Sequence, residues 1–306
     1  MNIFFILIFL IIQYIYMVLV YNKNPDCLIK QRFDYTINNV KQSLTVNQTV
    51  HFSKKYVLMI SGSYKLNYDV YVKKIIYDLR EQNKELFNKF DFIVFEKINK
   101  CSITIYEDII EYVNELNKTG IEELIIIGFS AGGVISSHVL AGLKHIICRK
   151  KLITYDAPWQ VMDNVKSFQY NTLYRLDIIF FEIVYKIYKN HYNYEEIKEN
   201  LKRENYFNGS DELIDMIKRI HNFNDEDFYK LTGFNLDQEK DTKIINIYSD
   251  KDPFVNRFTH LSFLRKNRQQ IDLLNITNIN KDRIGHCTDM AYDSEYLKDI
   301  IWAMEL

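Results

Sequence analysis

Short apolar runs alternate along most of the chain with longer segments whose apolar positions recur at helical spacing. A short run that is apolar throughout predicts a strand buried on both faces, and the segments between such strands predict helices that cover those faces. Strands are predicted at residues 56–60, 92–95, 124–127, 151–155, 243–248 and 270–274, and helices at residues 69–87, 105–116 and 134–143. The stretch up to about Thr49 is left without an assigned element. The pattern therefore predicts an α/β fold built on a doubly wound, mostly parallel sheet.

The stretch from residue 159 to residue 240 departs from this alternation, because it contains helical patterns and no convincing strand. One amphipathic helix is predicted from Leu173 to Tyr188, and charged helices are predicted near residues 195–203 and 212–223. A block of helices inserted late in a doubly wound sheet is typical of a cap over the carboxyl ends of the strands, where such sheets bind ligands. We expect an N-terminal segment (1–22), a core in two parts (23–158 and 241–306) and a helical cap (159–240) between them.

The N-terminal segment differs in kind from the rest of the chain. No charged side chain occurs from Ile3 to Val20, and about 18 apolar residues are just enough for a helix to cross a bilayer. No small-x-small cleavage site follows, so the segment predicts an uncleaved single-pass membrane anchor. Two alternatives stay open: a cleaved signal, which would make the protein secreted and soluble, and a buried helix of the globular domain.

The orientation of such an anchor is not decided by the sequence. Lys23, Lys30 and Arg32 follow the segment and nothing basic precedes it, which by the positive-inside rule keeps the globular part in the cytoplasm. Four N-x-[ST] sequons would instead be usable in a lumen. They begin at Asn47, Asn117, Asn208 and Asn275.

The charge balance excludes one class of partner. The chain has 39 Lys and Arg against 40 Asp and Glu, and no basic patch with interleaved aromatic residues is visible, so nucleic-acid binding is not expected. The four cysteines show no metal-ligand spacing and do not decide the compartment. They are Cys27, Cys101, Cys148 and Cys287.

Residues 128–132 carry the most informative motif, Gly-Phe-Ser-Ala-Gly, with Ser130 at its centre. The motif follows a predicted apolar strand directly and precedes a predicted helix, which is the setting of a nucleophile elbow. The flanking glycines suit a sharp, strained turn, and the helix that follows directs its amides at a developing oxyanion. The alternative is a glycine-rich strand-to-helix turn with a capping serine.

A serine nucleophile needs a base to take its proton and an acid to orient that base. The loop after the strand at 243–248 offers Asp250 and Asp252, and Asp156 follows the preceding strand. His286 lies in the last loop before the C-terminal helix, directly after Gly285. From the residues alone, the choice among the three aspartates stays open.

The chain from about residue 56 to its C-terminus resembles α/β-hydrolase-fold serine hydrolases of the lipase and esterase kind. The resemblance rests on the order serine, aspartate, histidine, on the Asp252-Pro253-Phe254-Val255 run and on the glycine before His286. It implies that Ser130 is the nucleophile, that His286 acts as general base and then acid, and that Asp252 orients His286.

The same resemblance implies an oxyanion hole built from two backbone amides. One amide is expected from Ala131, the residue after the nucleophile. The other is expected from the loop that follows the first clear strand, with Ser63 as the expected donor and Tyr64 as an alternative. Members of the family often have His-Gly there, and this chain has Ser61-Gly62.

The sequence thus predicts hydrolysis of carboxylic esters through an acyl-enzyme, with no metal or organic cofactor. A lipase acting on lipid esters is favoured by the N-terminal apolar segment, the apolar helical cap and the family resemblance. A thioesterase or peptidase on the same fold is one alternative, since fold does not fix the substrate. A non-catalytic, membrane-anchored binding protein is the other, and reactivity of Ser130 would separate the two classes.

Overall fold

The computed structural model describes residues 26–37, 40–51, 53–62, 68–96, 105–161, 163–164, 224–252, 255, 257–282 and 295–306. These residues contain eight strands that form one sheet. The strands are β1 (Ile29–Ile37), β2 (Val40–Gln48), β3 (Lys55–Ile60), β4 (Asp91–Glu96), β5 (Glu123–Phe129), β6 (Arg149–Tyr155), β7 (Lys243–Tyr248) and β8 (Asn275–Asn280). Their order across the sheet is β1-β2-β4-β3-β5-β6-β7-β8.

Helices in the described residues connect these strands. They are α1 (Tyr68–Gln82), α2 (Lys84–Lys89), α3 (Ile105–Asn117), α4 (Gly132–Gly142), α5 (Asp225–Leu231), α6 (Arg257–Lys266), α7 (Arg268–Ile271) and α8 (Glu295–Glu305). Strands β4, β3, β5, β6, β7 and β8 pair in parallel, whereas β2 is antiparallel to both β1 and β4. The carboxyl ends of the six parallel strands therefore meet at one edge, which we call the catalytic edge because the predicted nucleophile Ser130 and the predicted acid Asp252 follow strands that end there.

Two hydrophobic cores cover the faces of the sheet, as a doubly wound fold requires. Alternate side chains of β5 enter opposite cores, because successive residues of a strand point to opposite faces. Ile125 and Ile127 pack with α1, α2 and α8, while Leu124 and Ile126 pack with α3, α4 and α6. This burial on both faces explains why the central strands read as continuous apolar runs.

Five of the six predicted strands and the α/β fold class are confirmed. The predicted strand at 270–274 is wrong: α7 covers its start, and β8 begins at Asn275. Strand β8 has the sequence NITNIN and is half exposed because it lies at the edge of the sheet. Its polar residues interrupt the apolar run by which the other strands were predicted. The predicted helix at 69–87 is divided in two, because the Asn83 side chain accepts a hydrogen bond from the Leu86 amide (3.0 Å) and caps a new helix.

The stretch before Thr49 forms an antiparallel hairpin that the sequence pattern did not reveal. Strands β1 and β2 pair from Ile29 with Gln48 to Ile37 with Val40. Strand β1 is an edge strand with several exposed polar side chains; Leu44 and Val46 of β2 are buried in the core, and Phe33 and Tyr35 of β1 pack against it while partly buried. The two strands therefore lack the continuous apolar run that identifies the central strands in the sequence.

The predicted cap is described only at its two ends. Residues 159–161, at the start of the predicted cap, lie next to its end. An isolated bridge pairs Gln160 with Gly233, and α5 directly precedes Gly233 in the chain. The helices predicted at 173–188, 195–203 and 212–223 lie outside the described residues, as does the N-terminal segment 1–22. Within the part of the chain that the structure describes, no helix is long and apolar enough to cross a membrane.

Candidate active site

Ser130 lies at the apex of the turn between β5 and α4. Its amide donates to the Tyr155 carbonyl oxygen (2.9 Å), which extends the pairing of β5 with β6 by one residue. Its own carbonyl oxygen accepts from the Gly133 amide (2.9 Å), which opens the helical turn. Between these bonds the backbone is left-handed, with φ 51° at Ser130. Such a conformation costs a non-glycine residue energy and tends to occur at functional sites.

The loop after β3 approaches Ser130 at van der Waals distance. A Cβ atom added to Gly62 would lie 2.8 Å from the Ser130 Cβ atom and 3.2 Å from its Oγ atom. A Cβ atom added to Gly132 would likewise collide with the Ile60 carbonyl oxygen. These two glycines therefore let the end of β3 and the start of α4 close around the serine. The sequence predicted a role for the amides of this loop but not the contact that Gly62 makes with Ser130.

Ala131 follows Ser130 at the N-terminus of α4, where first-turn amides lack partners within the helix. The loop from Ser61 to Gly62 runs beside it, so backbone from two elements meets at Ser130. Ser63, the predicted second oxyanion donor, lies outside the described residues. Its role stays a prediction.

Asp252 lies in a tight turn after β7, two strands across from β5 in the sheet order. Its amide donates to the Ser249 carbonyl oxygen (3.2 Å), and its Oδ1 atom accepts from the Val255 amide (3.1 Å). The residue is 7% exposed. The turn thus holds a buried carboxylate at the catalytic edge.

The two rival aspartates have different surroundings. The Asp250 carboxylate accepts from the Asn280 side-chain amide (2.8 Å) and lies 3.6 Å from Arg257, so it is tied to the end of β8, on the side of β7 away from β5. Asp156 is fully buried directly after β6, and its amide donates to the Ile247 carbonyl oxygen (2.8 Å). Its φ of 48° is left-handed, as at Ser130.

His286 lies outside the described residues, so its position is not part of the structure. The chain on either side of it is described. The Lys281 amide donates to the Tyr248 carbonyl oxygen (2.8 Å), so the chain leaves β8 beside the end of β7. The segment that carries His286 therefore starts at the catalytic edge and ends at α8.

Two buried histidines near this edge have other contacts. His260 packs between the rings of Trp159 and Tyr248, with ring centroids 5.2 and 5.3 Å away. Burial lowers the pKa of His260 to about 4, although the Asp250 carboxylate acts in the opposite direction. His138 on α4 forms a 3.0 Å hydrogen bond with the Gly233 carbonyl oxygen, and burial lowers its pKa as well.

The hydrogen bond of His138 belongs to a junction between the elbow helix and the ends of the insertion. The Phe234 amide donates to the Trp159 carbonyl oxygen (2.7 Å), and the Val161 amide donates to the Thr232 carbonyl oxygen (2.9 Å). On α4, the Ser137 hydroxyl accepts from the Asn235 amide (2.8 Å). In the sequence, this junction is indicated by the polar residues Ser137 and His138 within the otherwise apolar helix α4.

No protein-family model matches the chain, and no curated protein matches it in sequence. Solved structures do match its fold. The esterase Pf2001 of Pyrococcus furiosus superposes with a TM-score of 0.55 at 13% identity, over 91% of each chain. A thermostable carboxyl esterase from Bacillus coagulans, solved with glycerol, gives a TM-score of 0.51 at 13% identity, over 90% of this chain and 98% of that one.

A third structure comes from a longer protein. An acylaminoacyl peptidase from Pyrococcus horikoshii gives a TM-score of 0.53 at 11% identity, over 95% of this chain and 43% of that one. These similarities show the α/β-hydrolase fold, with the strand order and the strand–turn–helix at Ser130 described above. At such low identity they show the fold alone.

Proposed function

We propose that the protein is a serine hydrolase that cleaves carboxylic esters through an acyl-enzyme on Ser130. The observation that carries the proposal is the left-handed Ser130 at the turn from β5 to α4, with the Gly62 backbone against its side chain. If this turn had only a structural role, glycine would suit the position better than serine, because glycine adopts φ > 0 without steric cost. A serine kept there at an energetic cost is accounted for by nucleophilic catalysis.

The reaction would proceed in two halves. The Ser130 Oγ atom attacks the ester carbonyl carbon while His286 takes its proton, and His286 returns that proton to the departing alcohol oxygen. Water, activated by His286, then attacks the acyl-enzyme, and the acid and free Ser130 are released. Amides of Ala131 and of the 61–64 loop, with Ser63 as the proposed donor, stabilise the negative charge on the carbonyl oxygen.

Asp252 is the acid that we assign to this set. Its carboxylate is buried in a turn at the catalytic edge, whereas that of Asp250 is engaged by Asn280 and Arg257 beside β8. A buried carboxylate next to an imidazole fixes its tautomer and stabilises the imidazolium that forms. Asp156 remains the rival, because it is buried beside the nucleophile strand.

The histidines that the structure describes have other contacts, which favours His286 as the base. His138 and His260 are buried in contacts with Gly233 and with two aromatic rings, respectively. His145 bonds to the Asn114 side chain (2.9 Å) beyond the C-terminal end of α4, and His51 packs on the Phe87 ring. Eight residues separate His138 from Ser130 along α4, about 12 Å at a rise of about 1.5 Å per residue, and His145 lies beyond the end of that helix.

The structural neighbours and the sequence together support the proposed substrate class. Two of the neighbours named above are esterases, which favours ester over peptide cleavage. Within esters, we propose lipid acyl esters, because the insertion and the first segment are rich in apolar residues. We also propose that residues 3–20 anchor the protein in a membrane, on their length and lack of charge.

Ester hydrolysis by the full chain in mild detergent tests the function. Ser130→Ala should abolish turnover of a p-nitrophenyl ester, while Ser262→Ala, a matched serine substitution on α6, should retain it. His286→Ala should lower kcat strongly, and His145→Ala should not. Full activity in Ser130→Ala would exclude Ser130 as the nucleophile.

A further inference from the structure

The N-terminal end of the described chain lies at the end of the sheet opposite the catalytic edge. Leu28 is buried in the core that contains α1 and α8, and Cys27 packs against that core. Burial raises the pKa of the Cys27 thiol, and the nearby Arg80 side chain, in the last turn of α1, acts in the opposite direction. Helix α1 starts after the carboxyl end of β3 and leads back toward the start of β4, so its last turn lies at the amino ends of the strands.

Ser130 is separated from this end by the height of the sheet. Strand β5 has seven residues and runs from the amino end at Glu123 to the turn at Ser130. At a rise of about 3.3 Å per residue, this distance is about 23 Å. The chain therefore enters the fold at one end and presents its proposed nucleophile at the other.

Exposed apolar side chains occur at the same amino end. Ile147, two residues before β6, is 97% exposed, and Trp302 and Leu306 in and after the last turn of α8 are 46% and 44% exposed. The Leu306 carbonyl oxygen accepts from the Lys243 side chain (3.1 Å) at the start of β7. The C-terminal end of α8 is thus placed beside the starts of the strands. Trp302 and Leu306 thus place apolar side chains at the amino end, while Phe258 in the first turn of α6 is 78% exposed at the catalytic edge, so the direction of the surface rests on where the chain enters the fold.

We infer that this amino end is the surface that meets the membrane, and that the catalytic edge faces away from it. The bilayer is the proposed occupant because the apolar residues 3–20 stop only five residues before Asp26. Residues 21–25 span at most about 17 Å when fully extended, less than the height of the sheet. Tryptophan prefers the membrane interface, which suits the position of Trp302.

This geometry limits the way in which an ester reaches Ser130. A substrate in the leaflet that holds the anchor lies at the wrong end of the protein, and the short connection does not let the domain turn over. The esters are therefore taken from the aqueous phase, as soluble molecules or dispersed lipid, rather than from the anchoring leaflet. This conclusion rests on the proposed ester hydrolysis, and the orientation rests on the proposed membrane anchor.

Tryptophan fluorescence tests the orientation without any activity. The chain has two tryptophans, Trp302 at the amino end and Trp159, buried in the core after the carboxyl end of β6. The full chain is reconstituted in phosphatidylcholine vesicles with and without brominated acyl chains, which quench tryptophan on close approach. We expect quenching in the wild type that disappears in Trp302→Phe, where only Trp159 emits.

Equal quenching in Trp302→Phe, or none in the wild type, would overturn the inference. Failure of the full chain to float with the vesicles would overturn it too, because the membrane premise would be gone. Trp302→Phe is an exposed aromatic exchange, so folding is expected to be retained.

A spacer variant tests the consequence for substrates. About 20 Gly and Ser residues inserted between Pro25 and Asp26 give an r.m.s. reach of about 25 Å, enough to let the domain turn. We expect the spacer to raise hydrolysis of an ester lipid in the same vesicle about tenfold or more, with no change for a soluble ester. Equal rates on the bilayer ester would overturn the inference, whereas loss of soluble-ester hydrolysis in both proteins would refute the proposed function instead.

Discussion

Gly62→Ala is the substitution whose effect the structure defines most sharply. Its Cβ atom would lie 2.8 Å from the Ser130 Cβ atom and 3.1 Å from the Phe129 carbonyl oxygen. Carbon atoms rest at about 3.5 Å, so the loop and the serine must separate by about 0.7 Å. Because a displacement of about 1 Å at a reacting group costs about 100-fold in rate, we expect kcat/KM to fall about 10- to 100-fold.

The stability of Gly62→Ala should change much less than its rate. Crowding a packed site costs about 1–3 kcal/mol, and the lower entropy of the unfolded chain returns about 0.4–1 kcal/mol. Urea unfolding followed by circular dichroism, together with steady-state kinetics on a soluble ester, measures both quantities on one preparation.

Gly120→Ala is the matched control, because it should lower the free energy of unfolding without lowering the rate. Gly120 has φ 83°, and a Cβ atom there would meet nothing within 4 Å. Forcing alanine into this left-handed conformation should cost about 1–2 kcal/mol of unfolding free energy and leave kcat/KM unchanged. Wild-type kcat/KM in Gly62→Ala would refute the reasoning, since the loop would then not bear on the reacting serine.

Two further predictions concern the acid and a buried histidine. Asp252→Asn should lower kcat about 10²- to 10⁴-fold through the wrong imidazole tautomer, while Asp250→Asn stays within a few-fold; the reverse ranking in ester kinetics would reassign the acid. Burial lowers the pKa of His260 from 6.5 to about 4, so the unfolded state binds the proton at a higher pH than the folded state does. The neutral histidine should therefore contribute about 3 kcal/mol of stability above pH 6.5, and this contribution is lost as the pH falls toward 4. Urea unfolding between pH 7 and pH 4 checks this, and His260→Phe should show a shallower loss; equal slopes in the two proteins would contradict the assignment.

The central strands were readable from the sequence because both of their faces are buried. Ile125, Ile126 and Ile127 enter opposite cores, so no polar position interrupts the run. The edge strands were not readable for the opposite reason. Strand β1 exposes Lys30 and Arg32, and β8 alternates Asn with half-buried residues, so neither has the apolar content of a buried strand.

The turn at Ser130 was predictable because its signal is local: an apolar strand, two flanking glycines and a helix follow each other within a few residues. The contact of Gly62 with Ser130 was not, because it depends on the parallel register of β3 with β5, in which Ile60 lies beside Gly128. Register across a sheet is set by packing between distant segments. Likewise, the position of Asp252 two strands across from β5 follows from the sheet order rather than from any spacing in the chain.

Covalent labelling tests the central claim most directly. The full chain is treated with a fluorophosphonate probe, and the modified residue is identified by peptide mass spectrometry. The account predicts an adduct on Ser130 that is lost in His286→Ala and retained in His145→Ala. A folded protein that gives no adduct, or an adduct on another serine, would contradict it.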